Sequence, residues 1–354
     1  MLTAIARRLA SGRARTVALQ VALSVAAIAV LVWQFDVGGV PAVLAQARLG
    51  LVALGLVAFT ASKVVHAYRW RLLLRHEPEL TTWRLVPVFL VSNLANALIP
   101  LRAGDVLRVE IPSRRYGVAR GEVASSVFIV ETVTDWLAFA ILLGLAALVL
   151  DFPAALRPVV AATALGAVAL FLVAVAAARR RAPADLERSL PLRVLPERWR
   201  EPGGRWLLAL LEGMRSLRDN RHAALAVAAA CLAWAAELPV WWLLGHAFGL
   251  SPSLAEALVL MTAANLVVAL PLTPWDVGPY ELLVSQAYVL LGAGRAEAAA
   301  FAIGSHLVLQ LWIGVTGMAA MWWLGLAPRE VLRRGDGPRS TAGSGSHHPD
   351  GESR

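Results

Sequence analysis

Six apolar runs of membrane-crossing length dominate the chain, at positions 17–33, 49–66, 123–150, 158–178, 223–248 and 298–326. Spanning the hydrocarbon takes about 17 to 25 mostly apolar residues, and a segment in lipid has no water to satisfy its backbone, so such runs fold as helices. Composition agrees. Of the 354 residues 58% are hydrophobic and 16% charged, where soluble domains carry roughly one quarter charged. The expected fold class is an all-α polytopic integral membrane protein.

Two further apolar pieces, 85–100 and 254–291, do not read as plain spans, because the first is short and the second is interrupted by PLTPWDVGPYE. Arginines collect at the amino terminus and in the stretches 69–84, 102–120, 179–221 and 329–334, and the positive-inside rule places all five on the cytoplasmic side. Both flanks of 85–100 are then on one side, so this piece enters the membrane and turns back. The broken segment 254–291, with few charges at its ends, does the same from the outer face. The reading is six spanning helices plus two re-entrant or broken helical hairpins in pseudo-symmetric halves, in the cell membrane, with both termini cytoplasmic. A plain eight-helix topology is the alternative.

Residues 1–16 form a basic cytoplasmic start, 17–326 the transmembrane domain with its arginine-rich loop 179–221, and 327–354 a Gly- and Ser-rich tail expected to be disordered. Arg7, Arg8, Arg13 and Arg15 before the first run suggest a signal sequence. The run is too long for an ordinary signal core and the small-residue stretch VLAQA at 43–47 lies too far beyond it, so it reads as an uncleaved anchor. The loop 179–221 suits the anionic inner leaflet, where each arginine is worth about 1 kcal/mol.

The net charge of +9 is accounted for by these topology signals and implies no nucleic-acid partner. Cys231 is the single cysteine, which excludes a disulfide within the chain. No Walker pattern precedes Lys63, the one lysine, and HExxH, CxxC and GxSxG are absent. His347 and His348 are too isolated for a metal site, and no cofactor is expected.

The two interruptions echo each other. The first reads Asn96, Pro100, Arg102, Gly104, Asp105, Arg108; the second reads Asn265, Pro271, Pro274, Asp276, Gly278, Glu281. Proline removes a backbone donor and glycine permits unusual dihedrals, so each segment is expected to leave the helix and expose amide and carbonyl groups. Paired breaks of this kind point to a transporter's binding site, with kinked helices or surface loops as the bland alternative. Glu131 and Asp135, four apart, share a helix face near mid-depth, where a lone charge costs roughly 2.5–3.5 kcal/mol. Arg102 and Arg108 are their expected partners. The second half offers Glu237 beside Pro239, and His306 sharing a face with Gln310, whereas Lys63 and His66 are expected to snorkel from a helix end.

The stretch NLANALIPLRAGDVLRVEIPSRRYGVARGEVASSVFIVETVTDWLAF resembles the first signature block of the lysylphosphatidylglycerol synthase transmembrane family, also described as flippase-like domains. LPLTPWDVGPYE resembles its second block, and YRWRLLL at 68–74 its arginine-tryptophan element, so that the resemblance covers about 49–326. Three positions depart from it. Leu101 follows Pro100 where the family has glycine, Trp275 and Asp276 replace paired glycines, and His306 stands where an arginine is frequent.

The resemblance implies a module that moves an amphiphilic lipid between leaflets. It also implies no aminoacyl-lipid synthesis, since nothing the size of the family's soluble transferase follows residue 326. Arg102 and Arg108 would attract an anionic phosphate headgroup of a phospholipid or polyprenyl-phosphate-linked lipid. Asn96, Asp105, Glu131, Asp135, Asn265, Asp276, Glu281 and His306 would complete the translocation site. Two alternatives stand beside this reading: a membrane glycosyltransferase with a lipid-linked donor, for which the first outer loop offers only Asp36, and a non-transporting partner of a lipid-modifying enzyme.

Overall fold

The computed structural model describes residues 2–35, 37–99, 103–149, 157–179, 214–269 and 273–327. Most of the expected arginine-rich surface loop (180–213), the tail from 328 and Arg102 itself lie outside these residues. Every regular element described is helical. Five helices are long and apolar enough to cross a membrane, at Leu49–Leu73, Arg120–Leu148, Val160–Arg179, Asn220–Ala247 and Arg295–Trp323. A sixth span is reached if Ala18–Gln34 is joined to Val37–Ala45, to which it is bent by 89°. Five of the six expected runs fall on these helices, and the first, 17–33, falls on Ala18–Gln34 of the bent pair.

In chain order the helices are α1 (Leu2–Gln34), α2 (Val40–Ala45), α3 (Leu49–Leu73), α4 (Thr82–Leu98), α5 (Ala103–Tyr116), α6 (Arg120–Ser125), α7 (Thr132–Val149), α8 (Arg157–Arg179), α9 (Asn220–Ala247), α10 (Leu254–Ala269), α11 (Pro279–Leu290) and α12 (Arg295–Trp323). A six-residue π-helical segment, Ser126–Glu131, joins α6 to α7. α3 and α9 form the most extensive helix pair, and α7 packs on α9 and α8.

Both interrupted segments fold as helical hairpins, α4 against α5 and α10 against α11. At 1.5 Å per residue, the 17 residues of α4 and 16 of α10 reach only about 25 Å, short of the roughly 30 Å hydrocarbon. The two hairpins meet: the short 3-10 turn Pro274–Asp276 in the second packs against α4 of the first. Helix α12 binds them together, since it lies against both α4 and α11.

The first break is shorter than expected. Helix resumes at Ala103, so Gly104, Asp105 and Arg108 are helical residues, and the dihedral freedom expected of Gly104 is unused. Its missing side chain serves close approach instead: a Cβ there would sit 2.0 Å from the Ser92 carbonyl oxygen and 2.6 Å from Asn96 Oδ1. In the second break, Gly278 does take a left-handed φ of 97°, and Trp275 and Asp276 hold φ near 57° and 58°. That conformation costs a bulky L-residue such as Trp275 about 1–2 kcal/mol, so tertiary contacts must hold it.

Candidate functional site

A cavity of about 890 Å³ lies between the two hairpins and the α3, α7 and α9 helices. Asn96, Asp105, Arg108, Glu131, Asp135, Asn265, Asp276 and His306 all line it. Glu281 contacts it through His306, and Arg102 falls outside the described residues.

Three ion pairs form a belt across this cavity. Arg108 Nη2 donates to Glu131 Oε1 at 2.8 Å, and the guanidinium stacks over Trp70 and Phe89, 4.4 and 4.7 Å from their centroids. Arg69, 2% exposed, pairs with Asp135 through Nη1, while its Nη2 donates to the Glu131 carbonyl at 3.1 Å and to Thr134 Oγ1 at 2.7 Å. Asp135 also accepts from Trp234 Nε1 at 2.6 Å. The His66 ring lies edge-on to Trp234, 4.8 Å between centroids. Lys63 Nζ then donates to Glu237 Oε2 at 2.7 Å, His66 Nε2 lies 3.5 Å from the same oxygen, and Asn265 Nδ2 reaches Glu237 Oε1 at 3.4 Å. The belt thus runs from the first hairpin through three long helices to the second.

The first hairpin bonds across its break, and the second is capped where its second helix begins. Asn96 Oδ1 accepts from the Gly104 amide at 2.8 Å and its Nδ2 donates to Asp105 Oδ1 at 3.1 Å. In the second, Glu281 Oε2 accepts from the Gly278 amide at 2.7 Å, while Oε1 lies 2.5 Å from His306 Nδ1. Tyr280 stacks on His306 with centroids 4.1 Å apart.

The structure corrects two expectations. Lys63 and His66 do not snorkel; α3 continues to Leu73, seven residues past the expected end, so both are buried inside the helix facing Glu237. Asp135 pairs with Arg69 of α3 and not with the expected Arg108; Arg102 lies outside the described residues. Arg108 does hold Glu131. Trp234 and Tyr280 belong to the site without a signal of their own in the pattern of breaks and charges. For α3 the signal lay in the spacing of Lys63, His66 and Arg69, three apart and hence on one stripe of an apolar helix.

A family model described as the lysylphosphatidylglycerol synthase TM region matches residues 17–317. The chain belongs to that family. No curated protein and no solved structure matches it. Both hairpins and all three ion pairs fall within the family's matched region, so the belt is part of the lysylphosphatidylglycerol synthase TM region and not of an appended segment. Among the described residues, no group of three or more His, Cys, Asp or Glu is arranged to hold a metal ion.

Proposed function

We propose that this membrane protein translocates a lipid with an anionic, phosphate-bearing headgroup between leaflets, a phospholipid or a polyprenyl-phosphate-linked lipid. The supporting observation is the mixed character of the cavity. Its lining joins the ion-pair belt and the amides of Asn96 and Asn265 to the apolar side chains of Phe139, Leu143, Val160, Val259 and Ala263. Lining residues Val106, Phe128, Leu266 and Leu290 are 40–64% exposed, an apolar rim along which acyl chains could stay in the bilayer while a headgroup reaches the belt.

Every ionised group of the belt has its counter-charge, and each pair can be opened only by something that replaces a partner. A phosphate does this chemically. It can take Arg108, whose buried Nε has no hydrogen-bond partner, in exchange for Glu131. The commitment of Glu131, Asp135 and Glu237 to cations also favours a carrier over an enzyme, since acid-base catalysis needs a carboxylate free to move a proton. We place the protein in the cell membrane with both termini cytoplasmic, as its arginines direct.

The test uses the purified chain in vesicles containing NBD-labelled phosphatidylglycerol, with dithionite reading the outer leaflet. Quenching should extend beyond the outer-leaflet fraction with the wild-type protein and not with Arg108→Ala. Folded, correctly inserted protein that moves neither this probe nor an NBD-labelled polyprenyl phosphate would overturn the proposal.

A further inference from the structure

The His306 imidazole is tied to both ends of the strained turn in the second hairpin. Through Nδ1 it meets Glu281, whose other carboxylate oxygen holds the Gly278 amide at 2.7 Å. Through Nε2 it meets Gln310 Nε2 at 3.1 Å, and that same amide nitrogen donates to the Trp275 carbonyl at 3.5 Å. Trp275 and Asp276 between these tethers sit in the left-handed region. Such a backbone persists only while its surroundings hold it.

This arrangement fits one protonation state. With Nδ1–H donating to Glu281, Nε2 offers a lone pair to the Gln310 N–H. A proton arriving on Nε2 removes that lone pair and sets two N–H groups against each other at 3.1 Å. Gln310 can accommodate it by rotating its amide, because its Oε1 is buried and has no partner in the present arrangement. Rotation turns the nitrogen away from the Trp275 carbonyl. One tether of the strained turn is then lost.

We infer that His306, with Glu281 and Gln310, is a proton-binding site that releases the turn of the second hairpin when it is loaded. The ligand is a proton, and imidazole is the side chain whose ordinary charge change falls between about pH 5 and 8. Among the described residues the ionisable groups touching it are Glu281 and Tyr280 from α11; Asp276 from the turn, Glu237 of α9 and Lys63 of α3 line the same cavity. Of the other elements packed on α12, α2 carries no ionisable residue, and the one charge of α4, Arg84, lies over Tyr116 at the opposite end of that helix. Because the released turn packs on α4, loading would loosen the contact between the two hairpins. Resting on the lipid-carrier reading only for this last step, the inference makes a proton the coupling ion for headgroup release.

A nitroxide on Trp275→Cys in a Cys231→Ala background reports the turn directly, since the tether uses the backbone carbonyl of residue 275. Spectra of the full chain in lipid nanodiscs are compared between about pH 8 and about pH 5. Expected is a shift from an immobilised to a mobile component on acidification, loss of that shift in His306→Gln, and a mobile component at both pH values in Gln310→Leu. Identical spectra at both pH values without the further substitutions, a shift that survives in His306→Gln, or an immobilised Gln310→Leu spectrum would each overturn the proton site. Running the NBD-phosphatidylglycerol assay at both pH values separates the two readings. A turn that switches in a protein moving no lipid sustains the proton site and defeats the carrier reading, whereas lipid movement at equal rates at both pH values defeats the coupling.

Discussion

Replacing Gly104 by alanine puts one methyl group where the first hairpin has no room. The added Cβ would lie 2.0 Å from the Ser92 carbonyl oxygen and 2.6 Å from Asn96 Oδ1. The nearer atom is backbone, so no rotamer change relieves the clash and α5 must move away from α4 by more than 1 Å, about the shortfall from ordinary van der Waals contact. Overpacking of this kind costs about 1–3 kcal/mol. The displacement also stretches the 2.8 Å bond from the Gly104 amide to Asn96, and a buried amide left unpaired adds about 1–3 kcal/mol. The expected loss is therefore about 2–4 kcal/mol, taking the lower part of both ranges because the hairpin can partly relax. At roughly 2 °C per kcal/mol for a chain of this length, the apparent melting temperature in detergent should fall by roughly 4–8 °C. Arg108 lies one turn further along α5, so its pair with Glu131 should loosen together with the fold. A Gly104→Ala protein that melts with the wild type would refute the close-packing argument and with it the account of why glycine stands there.

Two other outcomes follow from the same contacts. Arg69→Met should cost about 3–5 kcal/mol by stranding Asp135, and Arg69→Met/Asp135→Leu should recover much of it; a double variant as unstable as the sum of the singles, measured by thermal denaturation, would mean the pair is not coupled. Gly317→Val should separate α12 from α4, because a Cβ there lies 2.4 Å from Leu94 Cβ and 3.1 Å from the Leu90 carbonyl. Gly314→Ala, with nothing within 4 Å of its added Cβ, should be neutral or stabilise by up to about 1 kcal/mol; equal losses in melting temperature at the two glycines would show that the close contact at Gly317 is not what sets its cost.

Much of the site was legible before any coordinates because charge inside lipid is expensive wherever it sits in sequence. Glu131 and Asp135 were recognisable from that cost, and Asn265 and the acids of both breaks from the echo of the two interruptions; those that the structure describes reach the same cavity or touch a residue that does. Lys63 and His66 were misread, since a cation near the end of an apolar run looks the same whether its helix stops there or continues for another two turns. Only the continuation of α3 to Leu73 turned them inward. Gly104 was misread for a related reason: a glycine beside a proline suggests a bend, but whether it bends the chain or admits a neighbour depends on what packs against it.

Hydropathy was sufficient to determine the class of fold, five of the spans and the two interrupted segments, because a bilayer imposes its thickness and its backbone hydrogen-bonding demand on each segment separately. Pairing was decided by tertiary structure. That Arg69 rather than Arg108 pairs with Asp135, that Glu237 gathers Lys63, His66 and Asn265, and that His306 bridges both ends of a strained turn all depend on which helix faces lie within about 3 Å of each other, a distance set by packing between segments far apart in the chain.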